Sequence, residues 1–275
     1  YIRSNKRSMF DERFKTYRKN CGRCDSVKSK NVNHNRSDRN CDRAAVIFGK
    51  TDYKVRFITL GVFIRRHDKM KKIVFATIPM QEIKEGIVYK SEENKAIEYE
   101  KPVLFTVDSL LAKTLEKGDE VKIVRIVTEG KFSDDNLKLQ KDELDKINSE
   151  IKADISYVEV REAFRETNQV LHSRFRQLVN SLETGCEIYT DMTFGPKTLT
   201  PVLFYVLGFA EKFFDADIKN IVYGKVDFDK NKHPVPDTAE IFDVTSLYYL
   251  NSMASVMKAP NGASALAMLN TLFEL

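Results

Sequence analysis

Short apolar runs alternate with longer segments of helical periodicity through residues 70–275, and this alternation most constrains the fold. Such short runs, rich in Val and Ile, predict strands that are buried on both faces. The predicted strands are 71–78, 120–127, 155–160, 186–192, 220–226 and 240–244. The predicted helices are one that ends at Lys117-Gly118 and five more near 133–151, 168–183, 201–214, 246–258 and 263–274.

Strands that alternate with helices form βαβ units, whose strands lie parallel in one sheet. The chain therefore predicts an α/β fold: a doubly wound, mostly parallel Rossmann-like sheet with helices on both faces. In such a sheet the chain moves outward from its first strand and then crosses to that strand's other side, so strands one and four are expected to be neighbours. Ligands bind in the crevice at this switch point. The loops at 77–81 and 193–198 are expected to face it.

The second of these loops carries groups suited to an anion. Thr193 and Thr198 can donate hydroxyl hydrogen bonds, Gly195 lets the backbone come close to a ligand, and Lys197 brings a positive charge. Thr200-Pro201 is a favourable N-cap followed by a proline, which predicts a helix whose free N–H groups face the loop. Together these groups fit a phosphate or a phosphodiester.

A purely structural interpretation of the same residues stays open. Asp191 can form an Asx-turn, Gly195-Pro196 can simply turn the chain, and Lys197 can be solvated. Asp191 has no second carboxylate or histidine close in sequence, so acid–base chemistry has no visible partner there. We expect no metal at this loop.

Two common nucleotide motifs are missing from the sequence. The loop after the first strand lacks G-x-G-x-x-G, which argues against a nicotinamide or flavin dinucleotide, and no G-x-x-x-x-G-K-[ST] loop occurs. We therefore expect no cofactor.

Charge divides the chain into two parts. Residues 1–69 hold 19 Lys and Arg against 7 Asp and Glu, a balance of +12, whereas residues 70–275 carry −7. We interpret 1–69 as a basic N-terminal extension, either a translated leader ahead of Met70 or a disordered segment, because it lacks a sustained period. The alternative is that this segment binds nucleic-acid phosphates. A zinc site is disfavoured because its candidate ligands lack the usual close pairing; they are Cys21, Cys24, His34 and Cys41.

The remaining composition indicates a cytoplasmic protein with no membrane partner. No apolar run approaches the roughly 18 residues of a membrane span, and the 4 Cys of the chain are too few for a disulfide framework. We expect reduced thiols.

Four segments in order resemble CRISPR-associated Rossmann fold (CARF) domains, the sensors of ancillary proteins in type III CRISPR systems. They are the opening "KKIVFATIP", the loop segment "DMTFGPKTLTPVLF", the strand "NIVYGKV" and the segment "IFDVTSLYYLNSM". The second matches a D-x-[ST]-x-G-x-[KR] motif and is the most specific. The resemblance covers residues 70–275 and implies a CARF-like sensor domain there.

The resemblance implies a homodimer that binds a cyclic oligoadenylate, expected to be cyclic tetra-adenylate, across its two-fold axis in antiviral defence. Phosphates would contact the loop at 193–198, and the ring would be lined by Thr77, Ile78 and Pro79. The full expected ligand-binding set is Thr77, Ile78, Pro79, Asp191, Thr193, Phe194, Gly195, Pro196, Lys197, Thr198, Tyr223 and Gly224. The effector domain or partner is expected outside this chain.

Two other functions stay open. One is a ring nuclease, in which a ribose 2′-hydroxyl attacks its own phosphodiester and Lys197 stabilises the developing charge. The other is a regulator that uses residues 1–69 to bind nucleic acid.

Overall fold

The structure, a computed structural model, describes residues 71–231, 233–235 and 237–273. The chain divides into the units Tyr1–Ile64 and Arg65–Leu275, and every described residue lies in the second. The expectations for residues 1–69 (a leader or disordered extension, a nucleic-acid contact and the disfavoured zinc ligands) therefore lie outside the described residues.

Six strands form one sheet in the described part of the chain. They are β1 (Lys71–Ile78), β2 (Glu120–Thr128), β3 (Asp154–Glu162), β4 (Glu187–Asp191), β5 (Asp217–Lys225) and β6 (Glu240–Asp243). Their order is β3-β2-β1-β4-β5-β6, with the first five strands parallel and β6 antiparallel to β5. The predicted mostly parallel Rossmann-like sheet is confirmed, and strands one and four are neighbours.

Helices cover both faces of this sheet. They are α1 (Thr106–Thr114), α2 (Ser133–Ile151), α3 (Asn168–Val179), α4 (Leu199–Phe213), α5 (Thr245–Val256) and α6 (Gly262–Phe273). Because side chains alternate along a strand, Ile73 and Phe75 of β1 enter the core under α3, α4 and α5. Val74 and Ala76 enter the opposite core, under α1 and α2. The predicted helices on both faces are thus confirmed.

The segment 79–105 is irregular apart from one 3₁₀ turn, Lys95–Ile97, but it packs closely. Its buried side chains include Tyr89, Ile97 and Val103. The N–H of Lys90 donates to the carbonyl of Ala239 at 3.1 Å, and the carbonyl of Lys90 accepts from the N–H of Ile241 at 2.8 Å. This segment therefore pairs with the outer edge of β6.

Element boundaries differ from the predictions by a few residues. The differences are largest at the ends of two helices: α1, predicted to end at Lys117-Gly118, ends at Thr114, and α3, predicted to reach residue 183, ends at Val179. The N–H groups of Ser181 and Leu182 bond to the carbonyls three residues earlier, at 3.1 Å each. This tighter spacing ends the α-helical pattern.

Candidate functional site

The carboxyl ends of β1 and β4 meet at the point where the sheet order reverses. Val74 pairs with Tyr189 and Phe75 with Thr190, so the loops that leave the two strands start side by side. We call the space between the loop at 79–81 and the β4–α4 loop, residues 192–198, the crevice. Its position is the one that binds ligands in open parallel sheets.

Asp191, the last residue of β4, fastens the β4–α4 loop. Its Oδ2 accepts from the hydroxyl of Thr77 at 2.7 Å. Its Oδ1 accepts from the N–H of Thr193 at 3.0 Å and also from the Thr193 hydroxyl. The Asx-turn considered in the sequence is therefore present, and a residue of β1 holds it from the other side.

Burial sets the acidity of this carboxyl group. Asp191 is 1% exposed, and desolvation raises its pKa to about 6, although the hydrogen bonds from Thr193 and Thr77 act in the opposite direction. At neutral pH the carboxylate is ionised and accepts three hydrogen bonds. It is a fastening group rather than a group that faces the crevice.

Three of the expected ligand-binding residues lie at the end of β1 and directly after it. Thr77, Ile78 and Pro79 are all buried. The Thr77 oxygen also accepts from the N–H of Phe194 at 3.0 Å, and the carbonyl of Pro79 accepts from the side-chain amide of Asn136 at 2.8 Å. All three side chains are buried, and Thr77 and Pro79 act here through hydrogen bonds that hold the loops at the crevice.

The hydroxyl groups expected to hold phosphate are also engaged. Thr193 donates to Asp191 and accepts from the N–H of Gly224 at 2.9 Å. Thr198 donates to Oε1 of Glu166 at 2.8 Å. The hydrogens of both hydroxyl groups are therefore committed within the protein.

The polar groups that remain belong to the middle of the loop. Gly195 is exposed and has φ of +98°, and a Cβ at this position would lie 2.9 Å from Cδ2 of Leu199. A glycine is therefore favoured here by the positive φ, while the contact with Leu199 involves only the end of a flexible side chain. Lys197 is exposed and forms no ion pair with a described residue. The backbone N–H groups of Gly195, Lys197 and Thr198 have no hydrogen-bond partner in the described part of the chain.

The start of α4 corrects the sequence prediction. The helix begins at Leu199 with Thr198 as its N-cap residue, and no side chain of the described residues caps it. The N–H of Leu199 bonds to the carbonyl of Pro196 at 2.9 Å, so the turn begins before Thr200-Pro201. Pro201 is the third helical residue, still in the first turn, where a backbone N–H is not needed.

Two further expected residues lie at the end of β5. Gly224 is buried, and a Cβ there would lie 2.3 Å from Oγ1 of Thr106, so only glycine fits against α1. Tyr223 is exposed and stacks on Phe242 with ring centroids 6.3 Å apart. Gly224 therefore ties the loop to β5, whereas Tyr223 presents an aromatic face to solvent. The remaining expected residues, Phe194 and Pro196, are half-buried.

Sequence reasoning missed two supports of the crevice. Asn136 of α2 donates to the carbonyls of both Pro79 and Gln81, at 2.8 Å each. Glu166, from the loop before α3, holds Thr198. Neither residue stands near its partner in the sequence, and neither type is diagnostic, so no local signal marks them.

The chain matches no protein-family model, and no curated protein is significantly similar to it. Among the described residues, no group of three or more His, Cys, Asp or Glu side chains is placed to hold a metal ion. No helix in the same ranges has the length and apolar character needed to cross a membrane.

Proposed function

We propose that this chain is a CARF-like sensor domain that binds a cyclic oligoadenylate, specifically cyclic tetra-adenylate, in the crevice, as part of type III CRISPR antiviral defence. A cytoplasmic location and an effector on a separate domain or partner belong to the same proposal. One observation carries it. The β4–α4 loop, at the switch point of the sheet, leaves the Lys197 ammonium and the N–H groups of Gly195, Lys197 and Thr198 without partners among the described residues.

These groups favour a phosphodiester over an uncharged ligand. Several backbone N–H groups next to a helix N-terminus and one lysine form an arrangement that recurs at phosphate sites. The Asp191 bonds fix the loop before the ligand arrives, which reduces the ordering cost of binding. The half-buried Phe194 and the exposed Tyr223 offer aromatic surface near the same strand ends for adenine bases.

A homodimer is part of the proposal because a ring with two-fold symmetry can lie on a two-fold axis. Most apolar residues of α4 are buried, but Tyr205 is 72% exposed and Phe213 is 60% exposed. Aromatic side chains of this size are enriched in the centre of protein interfaces. Tyr205→Glu is expected to shift the protein from dimer to monomer in analytical ultracentrifugation.

Titration calorimetry with cyclic tri-, tetra- and hexa-adenylate tests the binding function. We expect binding of the cyclic tetramer and weaker binding of linear tetra-adenylate. Lys197→Ala is expected to weaken the affinity by about 1–3 kcal/mol, the scale of a lost charge-assisted hydrogen bond. Lys138→Ala, at an exposed lysine of α2, is the matched control and is expected to bind like the wild type. Equal affinities of the two variants would contradict the assignment of Lys197.

Ring cleavage is a second function, favoured by the position of Lys197 beside the free N–H groups of the described loop, which can stabilise charge on a phosphate. Incubation with labelled cyclic tetra-adenylate separates the two functions. A sensor returns the intact ring, whereas a ring nuclease yields linear products, and Lys197→Ala is expected to reduce their rate of formation.

A further inference from the structure

Arg174 is a buried cation that has no carboxylate partner in the described part of the chain. It lies on α3 with 1% of its surface exposed. One of its terminal nitrogens donates to the hydroxyl of Thr128 at 3.3 Å, and its Nε has no hydrogen-bond partner among the described residues. An unpaired charge of this kind carries a large desolvation penalty. Burial accordingly lowers the pKa of Arg174, while the negative charges of Glu162 and Glu166 raise it.

Arg125, the other buried arginine of the described residues, does have a carboxylate partner. Arg125 donates to Oε1 of Glu159 at 2.7 Å and to the carbonyl of Leu137 at 3.2 Å. Its guanidinium also lies over the ring of Tyr157, 4.7 Å from the ring centroid. The Nε of Arg125 also lacks a hydrogen-bond partner within the described ranges, so the two arginines differ in the counter-charge, which Arg125 has in Glu159 and Arg174 does not have.

Arg174 lies beside the crevice. Its partner Thr128 is the last residue of β2, at the carboxyl edge of the sheet. The loop between β2 and α2, which follows Thr128, touches the loop after β1, since a Cβ at Gly130 would lie 3.0 Å from Cβ of Met80. On the other side, the loop before α3 reaches the crevice, because Glu166 accepts from Thr198 at 2.8 Å, and α3 itself packs on α4 through Phe175 and Phe209.

The two carboxylates whose charges act on Arg174 accept hydrogen bonds from neutral side chains. Glu162 accepts from the side-chain amide of Gln177 at 2.7 Å. Glu166 accepts a hydrogen bond at 2.8 Å from the hydroxyl of Thr198, at the end of the β4–α4 loop. The Glu166 carboxylate is therefore bound to one of the residues that the sequence predicts to hold phosphate.

We propose that Arg174 is a second anion-binding residue of the crevice, and that Glu166 holds its place in the free protein. A phosphate or phosphodiester that enters displaces the Glu166 carboxylate from Thr198 and accepts hydrogen bonds from the Arg174 guanidinium. The ligand then supplies the counter-charge that the fold withholds. For the identity of the natural ligand this inference rests on the proposed function, but the anion site itself does not.

Thermal unfolding of the whole chain with and without sodium pyrophosphate, at ionic strength matched with NaCl, tests the inference. Pyrophosphate is expected to raise the wild-type melting temperature. Arg174→Met, which keeps the volume and the helix propensity, is expected to melt higher than the wild type without ligand, because the unpaired charge is gone. It is expected to bind pyrophosphate at least about tenfold more weakly, the effect of one lost charge-assisted hydrogen bond.

Arg125→Met is the matched control, and it is expected to melt lower than the wild type because it removes the hydrogen bonds of a buried guanidinium to Glu159 and to the carbonyl of Leu137, although Glu159 keeps Arg161 as a partner. Arg174→Met that melts lower by a similar amount, or that binds pyrophosphate like the wild type, overturns the inference. Absence of any pyrophosphate effect on the wild type also overturns it. Glu166→Gln provides a test without altering Arg174: its pyrophosphate affinity is expected to rise about threefold, and an unchanged or weaker affinity contradicts the displacement.

The same variants separate this inference from the proposed function. If cyclic tetra-adenylate binds the wild type and Arg174→Met equally, the sensor proposal stands and the role of Arg174 is overturned. If pyrophosphate binds through Arg174 but no cyclic oligoadenylate binds, the anion site stands and the sensor proposal fails.

Discussion

The chain builds the same Asp-x-Thr turn twice, at Asp191 and at Asp243, with different surroundings. In both turns Oδ1 of the aspartate accepts from the N–H of the threonine two residues on, at 3.0 Å and 3.1 Å, and from its hydroxyl. In both turns the threonine oxygen accepts an N–H of β5, from Gly224 at 2.9 Å and from Ile221 at 2.8 Å. The turn itself therefore fastens the strands on either side of β5.

The two turns lead into different segments. After Asp243 the chain enters α5 at once, at Thr245. After Asp191 it passes through the exposed Gly195 and Lys197 before α4 begins at Leu199. The comparison teaches that the Asp-x-Thr motif is a fastening device, and that the candidate binding groups are the residues inserted between the fastening and the helix.

The two aspartates also differ in burial, and from this difference we expect the largest mutational effect on stability. Asp191 is buried with Thr77 on Oδ2, whereas Asp243 is half-buried and its Oδ2 accepts from the side-chain amides of Asn94 and Asn220, at 2.8 Å each. Asp191→Ala leaves the buried hydroxyl of Thr77 and the two donors of Thr193 without their acceptor, and we expect it to lower the free energy of unfolding by about 3–5 kcal/mol. Asp243→Ala is expected to cost about 1–2 kcal/mol. Urea denaturation of both variants measures the difference, and equal costs would remove the distinction between the turns.

The pH dependence of Asp191 is a consequence of its burial. Its pKa is about 6 in the folded protein against 3.8 for the free side chain, so between these values the folded state holds a proton that the unfolded chain has lost. The free energy of unfolding therefore falls by about 3 kcal/mol as the pH rises through this window, and this contribution is constant above it. Asp191→Asn lacks the contribution. The wild-type stability minus that of Asp191→Asn is expected to fall between pH 3.5 and 7, whereas a constant difference would contradict the account.

The residues of β5 that serve the two turns also differ. Ile221 carries a side chain into the core, but Gly224 lies against Thr106 of α1. Gly224→Ala is expected to lower the free energy of unfolding by about 1–3 kcal/mol through overpacking. Gly208→Ala is the control, because a Cβ at this α4 position meets nothing within 4 Å, and it is expected to gain about 0.5–1 kcal/mol. Thr106→Ala should recover part of the Gly224→Ala loss in a double-mutant cycle.

Sequence alone predicted the features that depend on local periodicity. The alternation of apolar strands and helices was enough to place β4 beside β1 and hence to locate the crevice. It could not show that Thr77 bonds to Asp191, because the two residues are 114 positions apart. It misplaced the start of α4 because the turn from Pro196 to Leu199 precedes the favourable Thr200-Pro201 signal. Arg174 did leave a trace, since it stands among Leu171, Phe175 and Leu178 on the inward face of α3.

Amide hydrogen exchange of the whole protein with and without cyclic tetra-adenylate tests the central claim most directly. The N–H groups of Gly195, Lys197 and Thr198 have no partner among the described residues, so they are expected to exchange rapidly in the free protein and about tenfold or more slowly with the ligand. The turn at Asp243 is expected to show no change. Protection that is absent from residues 195–198, or that appears equally at both turns, would contradict the assignment of the crevice.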